Sequence, residues 1–375
     1  MHTKKSLTMN KFYYALILII SLAMFSCKTD IDVNAEYKDI AIVYGIINPT
    51  DSVHYLKINK AFLGNASALD LAADATNFNY DDGELDITIE AFDESNTLRA
   101  SYSTGAGDIA RTNEVVKDAG VFDNRDNVLY KFEEKNINRD FTYKVKILNI
   151  ALDKEITSET KIVGITNVDN GTGGKLNFWN GNQYQNRNIS VTSGSDVGRV
   201  SMALRFNYTE YYTQASNRDS TVHSLIMPLG QQIATTPLGN ESLVLVMQGE
   251  TFFQNIATGI ADKNTVPDFS HRELNNISID YSAAGTELST YMEVSAPSSS
   301  VNQDKPSYTN IKNGIGVFSS RDNFNAIPAY SSSSSQVNIS NNTIEYLATS
   351  SLLFNKGFCF GTDGIGNPEA PCQQL

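Results

Sequence analysis

Short runs in which apolar and polar residues alternate recur along this 375-residue chain. The run 85–91, LDITIEA, has an apolar residue at every second position and acidic residues or threonine between them. The run 141–149, FTYKVKILN, alternates in the same way. A period of two places successive side chains on opposite faces of an extended strand. The sequence therefore predicts a mostly β protein.

The first half of the chain is dense in such runs. The run 40–47, IAIVYGII, and the run 52–62, SVHYLKINKAF, flank the turn sequence NPTD and predict a hairpin. Ser67 and Asp70 have the spacing of a capping box, which predicts a short helix. About seven strands separated by turn signals are typical of a β-sandwich. We assign this sandwich to residues 37–166.

The second half is predicted to be a larger β-rich domain, residues 175–375, that follows a glycine-rich break over 167–175. Its strands include RVSMALRFNYTEYY, STVHSLIMPL, ESLVLVMQ, NNISIDYSAAG and STYMEVSA. The run GETFFQNIATGIAD has apolar residues at helical spacing. A second short helix is predicted over NNTIEYLATSSLL, with Asn342 and Glu345 in capping-box spacing. Gly314 and Gly316 predict close backbone packing or a bulge.

The N-terminus has the pattern of an export signal. Three lysines precede the apolar run 12–25, FYYALILIISLAMF, which is shorter than the roughly 20 residues of a membrane-spanning helix. This run ends just before Cys27, in a sequence that resembles the lipobox of bacterial lipoproteins. We therefore predict a signal peptide over 1–26, acylation of Cys27 and a tether over 27–36. The alternative is an ordinary signal peptide with a chance cysteine.

The charge of the mature chain limits its partners. Removal of residues 1–26 takes away three of the 29 basic residues and none of the 42 acidic ones, which leaves a net charge of −16. This charge argues against nucleic-acid binding and against a polybasic membrane face. Two cysteines remain besides Cys27, and we predict that Cys359 and Cys372 form a disulfide, which an extracytoplasmic location permits.

Sequence signatures of catalysis and of cofactor binding are missing. The chain has no zincin-type histidine pair, no G-x-S-x-G elbow, no phosphate loop and no dinucleotide fingerprint. No cofactor is therefore expected. His54 lies on an alternating strand and is predicted to be structural. The acid-rich segments NYDDGELD, residues 79–86, and FDNRDN, residues 122–127, are turn acids in one interpretation and calcium ligands in the other.

Aromatic residues beside amides form the best candidate ligand-binding patch. Aromatic rings with polar edges suit recognition surfaces, although they also fill cores. The candidate residues are Trp179, Asn180, Asn182, Tyr184, Tyr211 and Tyr212. Separately, the sequences DSV and DST resemble the O-glycosylation site of Bacteroidota, which makes Ser52 and Ser220 candidate glycosylation sites.

The order of these pieces resembles a family of Bacteroidota outer-membrane lipoproteins defined by a domain of unknown function. The resemblance rests on the lipobox, on DIAIVYGIINPTDSVHYLKINKAF, on ELDITIEAFDESNTL and FTYKVKIL, and on the late PSYTNIKNGIGVFSSR. It implies an immunoglobulin-like or transthyretin-like sandwich followed by a larger β-rich part. It also implies a binding or accessory role, since genes of the family often lie beside those of TonB-dependent transporters. The alternatives are a surface glycan hydrolase and a structural or adhesive module.

Overall fold

The structure is a computed structural model, and it describes residues 40–61, 67–120, 127–169, 175–213, 219–296, 307–327 and 338–359. The described part of the first half forms strands β1 (Ala41–Ile47), β2 (Val53–Lys60), β3 (Leu85–Phe92), β4 (Leu98–Ser103), β5 (Ile109–Thr112), β6 (Leu129–Glu133), β7 (Thr142–Asn149), β8 (Lys154–Lys161) and β9 (Ile165–Asp169).

The described part of the second half forms strands β10 (Arg187–Ser193), β11 (Val197–Tyr212), β12 (Ser220–Ile233), β13 (Ser242–Met247), β14 (Phe269–Gly285) and β15 (Gly314–Ala326). The α-helices are α1 (Ala68–Ala72), α2 (Gly249–Gly259), α3 (Thr286–Ser295) and α4 (Asn341–Thr349), and the 3-10 turns are Ala75–Asn77, Lys263–Thr265 and Phe354–Lys356. The prediction of a mostly β protein with short helices is confirmed.

The strands form three sheets. The largest has eight strands in the order β12-β11-β14-β15-β1-β2-β6-β5, and the others are β4-β3-β7-β8 and β13-β10-β9. The predicted hairpin of β1 and β2 is antiparallel, with Val43 opposite Ile58. No helix within the described ranges has both the length and the apolar character needed to cross a bilayer.

The first core lies between the four-stranded sheet and the β15-β1-β2-β6-β5 part of the large sheet. The alternation of β3 and β7 places their apolar residues in this core, as predicted, with Ile87, Ile89 and Ile147 all at 0% exposure. Burial of such side chains stabilises the fold by about 1.5–3 kcal/mol each. The first half is therefore a two-sheet sandwich.

The second core lies between the long strands β11 and β14, the sheet β13-β10-β9 and helix α2. The predicted helical spacing is confirmed, because Phe252, Phe253 and Ile256 on α2 are all fully buried. The predicted inward face of β11 is confirmed as well, with Val200, Met202, Leu204 and Phe206 buried.

Strand β15 belongs to both halves. Its residues 314–320 pair in parallel with β1, and its residues 321–326 pair antiparallel with β14. A Cβ at Gly316, whose φ is +117°, would lie 2.0 Å from the carbonyl oxygen of Val43, so the predicted close backbone packing is confirmed. The two halves thus share one continuous sheet, while the predicted boundary at 167–175 stays a prediction.

Two local predictions were wrong. The run STYMEVSA was predicted as a strand, but it lies in helix α3, because Leu288, Tyr291 and Met292 have the three- and four-residue spacing of a helix face. The cap of helix α4 is Ser340, whose Oγ accepts a hydrogen bond from the Thr343 N–H at 3.3 Å, and not Asn342. The predicted cap of α1 is confirmed, since Ser67 Oγ accepts from the Asp70 N–H at 3.2 Å.

Candidate functional site

The candidate site is the outer face of the eight-stranded sheet, on the side away from both cores. Even-numbered residues of β1 and odd-numbered residues of β11 and β15 point to this side, because their neighbours in the sequence point into the cores. Helix α3 lies against this face, where Arg199 Nε donates to Ser289 Oγ at 3.4 Å and the Leu288 N–H donates to Ser319 Oγ at 3.3 Å. The helix divides the face into two halves of different chemistry.

The first part, which we call the apolar half, surrounds strand β1. It consists of Ile40, Ile42, Tyr44, Ile46 and Ile315. Four of these side chains are between 38% and 45% exposed, and Ile42 lies directly opposite Ile315 in the parallel pair β1–β15. Contiguous apolar surface on one sheet face is characteristic of interaction sites. The sequence signal for it was the continuous apolar run 40–47, in which both faces of the strand are apolar.

Helix α3 borders the apolar half through a pair of tyrosines. The hydroxyls of Tyr44 and Tyr291 lie 3.0 Å apart, and their rings pack edge to face with centroids 5.9 Å apart. Partial burial and the hydrogen bond with Tyr291 raise the pKa of Tyr44 to about 12. The Tyr44 hydroxyl therefore stays protonated and uncharged at neutral pH.

The second part, which we call the polar half, covers β12, β11, β14 and the end of β15. Its side chains bond to one another across the strands. Ser224 Oγ donates to Asn207 Oδ1 at 2.6 Å, and Asn207 Nδ2 donates to Asn276 Oδ1 at 2.8 Å. Asn325 Nδ2 donates to Asp280 Oδ1 at 2.6 Å, and Arg205 Nη2 pairs with Asp280 Oδ2 at 2.6 Å. These bonds hold a row of amides and charges in fixed orientations.

A groove of about 550 Å³ lies in the polar half. Its lining combines the polar residues Ser201, Asp280, Ser282, Asn323 and Asn325 with Ala203, Pro228, Gly230 and Phe324, and apolar atoms contribute most of its surface. Ser282 Oγ donates to Asn323 Oδ1 at 2.8 Å on its wall. The strand register shifts between Met202 and Ala203, opposite the segment from Pro228 to Gly230. This bulge and the missing side chain of Gly230 leave the space that forms the groove.

The predicted aromatic patch is divided between two places. Trp179 and Tyr184 face each other across a tight turn, with ring centroids 5.3 Å apart, and Tyr346 joins them with its ring centroid 4.4 Å from that of Trp179. Asn180 Oδ1 accepts from the N–H groups of Asn182 and Gln183 at 3.0 and 2.9 Å. The half-buried rings pack on the edge of the second core, and the amide of Asn180 stabilises the turn.

The other two predicted aromatics lie at the end of β11. The ring of Tyr211 stacks on His271, with centroids 4.6 Å apart and an interplanar angle of 9°, on the polar half. Tyr212 donates a 2.8 Å hydrogen bond to Glu210 on the opposite side of the sheet. Tyr211 is therefore the predicted residue that the structure places on the outer face.

Near this end, a serine, a histidine and a glutamate contact one another. Ser270 Oγ lies 3.0 Å from His271 Nδ1, and His271 Nε2 lies 3.4 Å from Glu273 Oε1. A nucleophilic serine needs a base within such a distance and a third group that orients the base. Here, however, Ser270 is exposed on a strand and is the immediate neighbour of His271 in the chain. We assign no catalytic role to this contact.

The remaining predicted residues are the two candidate glycosylation sites and the cysteines. Ser52 and Ser220 are both exposed, and Ser220 is the first residue of β12, opposite Tyr211. Cys359 is disulfide-bonded. Cys27 and Cys372 lie outside the described residues, so the predicted acylation and the predicted pairing stay predictions.

The predicted structural histidine and the acid-rich segment 79–86 have local partners. His54 is 3% exposed, and its Nε2 lies 3.1 Å from the carbonyl oxygen of Glu134. Glu84 Oε2 accepts from the Asp81 N–H at 2.9 Å. The segment borders a cavity of about 410 Å³ that Arg111 also lines. Within the described ranges, no three histidine, cysteine or acidic residues group as metal ligands would.

Comparisons with known proteins do not assign this chain to a family. No protein-family model matches it, and no curated protein matches it. Among solved structures, it shows similarity to the C-terminal globular domain of an oligosaccharyltransferase from Pyrococcus abyssi, at 9% identity and a TM-score of 0.21. The match covers 66% of this chain and 49% of that chain, so this chain spans about half of that protein's length. A TM-score this low carries no argument about fold or function.

Proposed function

We propose that this protein is a lipoprotein, anchored by Cys27 in the outer membrane, that serves as an accessory subunit of a membrane-embedded partner. The apolar half of the outer face is the surface that docks on the partner. A TonB-dependent transporter is the partner class that the family resemblance implies. The observation that carries the proposal is the exposed apolar surface around β1, at the start of the residues that the structure describes.

The distance to the membrane supports this assignment. The apolar half begins at Ile40, only 13 residues after Cys27. A fully extended segment of this length spans about 45 Å at most. A lipid-anchored protein with this tether therefore keeps the apolar half within reach of proteins that project from the bilayer.

A protein surface fits the apolar half better than the lipid does. Side chains on one face of a sheet stand on the same side, so the apolar half presents one broad surface that a partner protein can cover. Insertion into a bilayer interface is instead helped by basic residues that attract anionic lipids. The net charge of −16 of the mature chain opposes that attraction.

The docking proposal is tested with tagged full-length protein in its native membrane. Ile46→Glu places a charge in the apolar half, and Val222→Glu places the same charge on the polar half at a residue that is 69% exposed. After chemical crosslinking and purification through the tag, mass spectrometry identifies the membrane proteins retained. We expect one membrane-embedded partner with the parent and with Val222→Glu, and its loss with Ile46→Glu. Equal recovery with both variants would exclude the apolar half as the docking surface.

The lipid anchor is tested independently. Cys27→Ser removes the acylated thiol, and we expect an unprocessed or mislocalised precursor. If this variant instead matures and partitions with the outer membrane like the parent, the lipoprotein assignment fails. The hydrolase and adhesive alternatives predict that crosslinking retains no membrane-embedded partner. A hydrolase would in addition keep its activity in Ile46→Glu and Val222→Glu, because neither substitution removes a catalytic residue.

A further inference from the structure

The polar half breaks the usual residue preferences of β-strands. Asparagine, aspartate, glycine and proline are depleted in strands, because their side chains pack poorly there or compete with the ladder. Yet Asn207, Asn276, Asn323 and Asn325 occupy strand positions on this face, together with Asp280. Positions where local preference and fold disagree are expected at functional sites. The amide row is therefore a feature that the fold alone does not require.

The backbone beneath the groove is already engaged. Strands β12, β11, β14 and β15 pair with one another in that order, so the N–H and C=O groups of the two central strands, β11 and β14, are used in ladders on both sides. A ligand in the groove has to be recognised by side chains. The polar side chains present there are two amides, two hydroxyls and one carboxylate, which offer donors and acceptors at fixed positions beside an apolar remainder of the lining.

Charge in the groove is balanced internally. Arg205 pairs with Asp280 through Nε at 3.1 Å and Nη2 at 2.6 Å, and Asp280 also accepts from Asn325. An anionic ligand would meet the negative field of the mature chain, and a cationic ligand would compete with Arg205 for Asp280. The groove is consequently matched to a ligand without net charge.

We propose that this groove binds a neutral oligosaccharide. Each sugar hydroxyl both donates and accepts, which complements the amides of Asn323 and Asn325 and the hydroxyl of Ser282. The small residues Ala203 and Gly230 leave room for a sugar ring to lie flat on the sheet. Strands about 4.8 Å apart present these groups in parallel rows, so an extended chain of rings meets them repeatedly.

An extended peptide is the weaker candidate for the groove. Peptide recognition by a sheet uses a free strand edge or deep apolar pockets for side chains. The groove crosses the face of four strands, from β12 to β15, instead of running along a strand edge. Because it occupies the polar half, sugar binding is independent of the docking of the apolar half, and either proposal can fail without the other.

The experiment uses the soluble mature protein without its lipid, residues 28–375, and three single variants. Ala203→Trp fills the groove, and Asn325→Ala removes one amide from its wall. Val222→Trp is the matched control, because it adds the same ring to the same face outside the groove. The probes are neutral oligosaccharides of glucose, galactose, mannose and xylose, about four to eight units long. Uronic-acid oligosaccharides and peptides are tested for comparison. Calorimetric titration then measures the affinity for the best probe.

We expect at least one neutral oligosaccharide to bind, with Ala203→Trp weakening the affinity by about tenfold or more. Val222→Trp should leave the affinity within about twofold, and Asn325→Ala should weaken it without a change in circular dichroism. Absence of any neutral sugar binding would overturn the proposal. Preferred binding of peptides or uronic acids would also overturn it, as would equal affinity of Ala203→Trp and Val222→Trp.

Discussion

Arg272 on β14 and Glu210 on β11 form an ion pair beneath the surface of the second core. Arg272 Nε and Nη2 lie 2.8 and 2.5 Å from Glu210 Oε2, and the two side chains are 1% and 7% exposed. Arg272 Nη1 also donates to the carbonyl oxygens of Ala261 and Lys356, at 2.8 and 2.6 Å. The guanidinium thus ties two chain segments to the long sheet, besides neutralising the carboxylate.

Loss of this arginine is expected to destabilise the fold strongly. Arg272→Met leaves Glu210 buried without its partner and frees two carbonyl oxygens, which should cost about 3–5 kcal/mol of unfolding free energy. The matched control is Arg205→Met, which breaks the Arg205–Asp280 pair at 34% and 30% exposure and should cost about 0–1 kcal/mol. Denaturant titration of both variants measures the difference. Similar losses of unfolding free energy in the two variants would show that burial does not determine how much an ion pair contributes to stability.

The stability of the first sandwich should depend on pH through His54. Burial lowers the pKa of His54 below 6.5, and the hydrogen bond with the Glu134 carbonyl opposes this only in part. Since the folded pKa lies below the unfolded value, the stability is fully present above pH 6.5 and is lost as the pH falls from 6.5 through the folded pKa. Unfolding free energies at pH 7.5 and 5.5 should therefore differ more for the parent than for His54→Gln. The same difference in both proteins would refute this assignment.

Sequence patterns predicted the elements well where the signal is local. The alternation of β3 and β7, the helical spacing of Phe252 and Ile256 and the cap at Ser67 all report on contacts within a few residues. The tight spacing at Gly316 was predictable for the same reason. These features are set by backbone geometry and by one core face, so a short window of sequence contains them.

Long-range pairings were not predictable. The parallel pair of β1 and β15 joins residues about 270 positions apart, with Ala41 opposite Gly314, and no local pattern selects such a partner. The outer face follows from that pairing, because it sets the apolar residues of β1 beside Ile315. The buried Arg272–Glu210 pair was missed similarly, since charged residues in a strand usually indicate solvent.

The shared strand β15 changes what proteolysis should yield. We expect limited proteolysis to cut within 167–175, where three glycines occur. The two fragments should nevertheless stay together in gel filtration, because β15 is bonded to β1 of one fragment and to β14 of the other. Separation of the fragments without denaturant would contradict a continuous eight-stranded sheet, and resistance across 167–175 would contradict the predicted boundary.

The disulfide of Cys359 should close a short loop. An acylated Cys27 has no free thiol, so we expect Cys372 to be the partner, in a loop of 14 residues. In the chain-entropy description such a loop stabilises the fold by about 3 kcal/mol. Peptide mapping of the unreduced protein should find the 359–372 link, and Cys372→Ser should lower stability and leave Cys359 reactive. A link between Cys27 and Cys359 would disprove both the pairing and the acylation.

Photo-crosslinking from single positions tests most directly whether the apolar half is the docking surface. A photoreactive residue replaces Ile315 in the apolar half or, as the control, Val246 on β13 in another sheet, two positions that are 45% and 48% exposed. Irradiation of cells carrying the full-length lipoprotein should give a discrete adduct with a membrane-embedded protein from position 315 and none from position 246. No adduct from position 315, or the same adduct from both positions, would contradict the proposed docking.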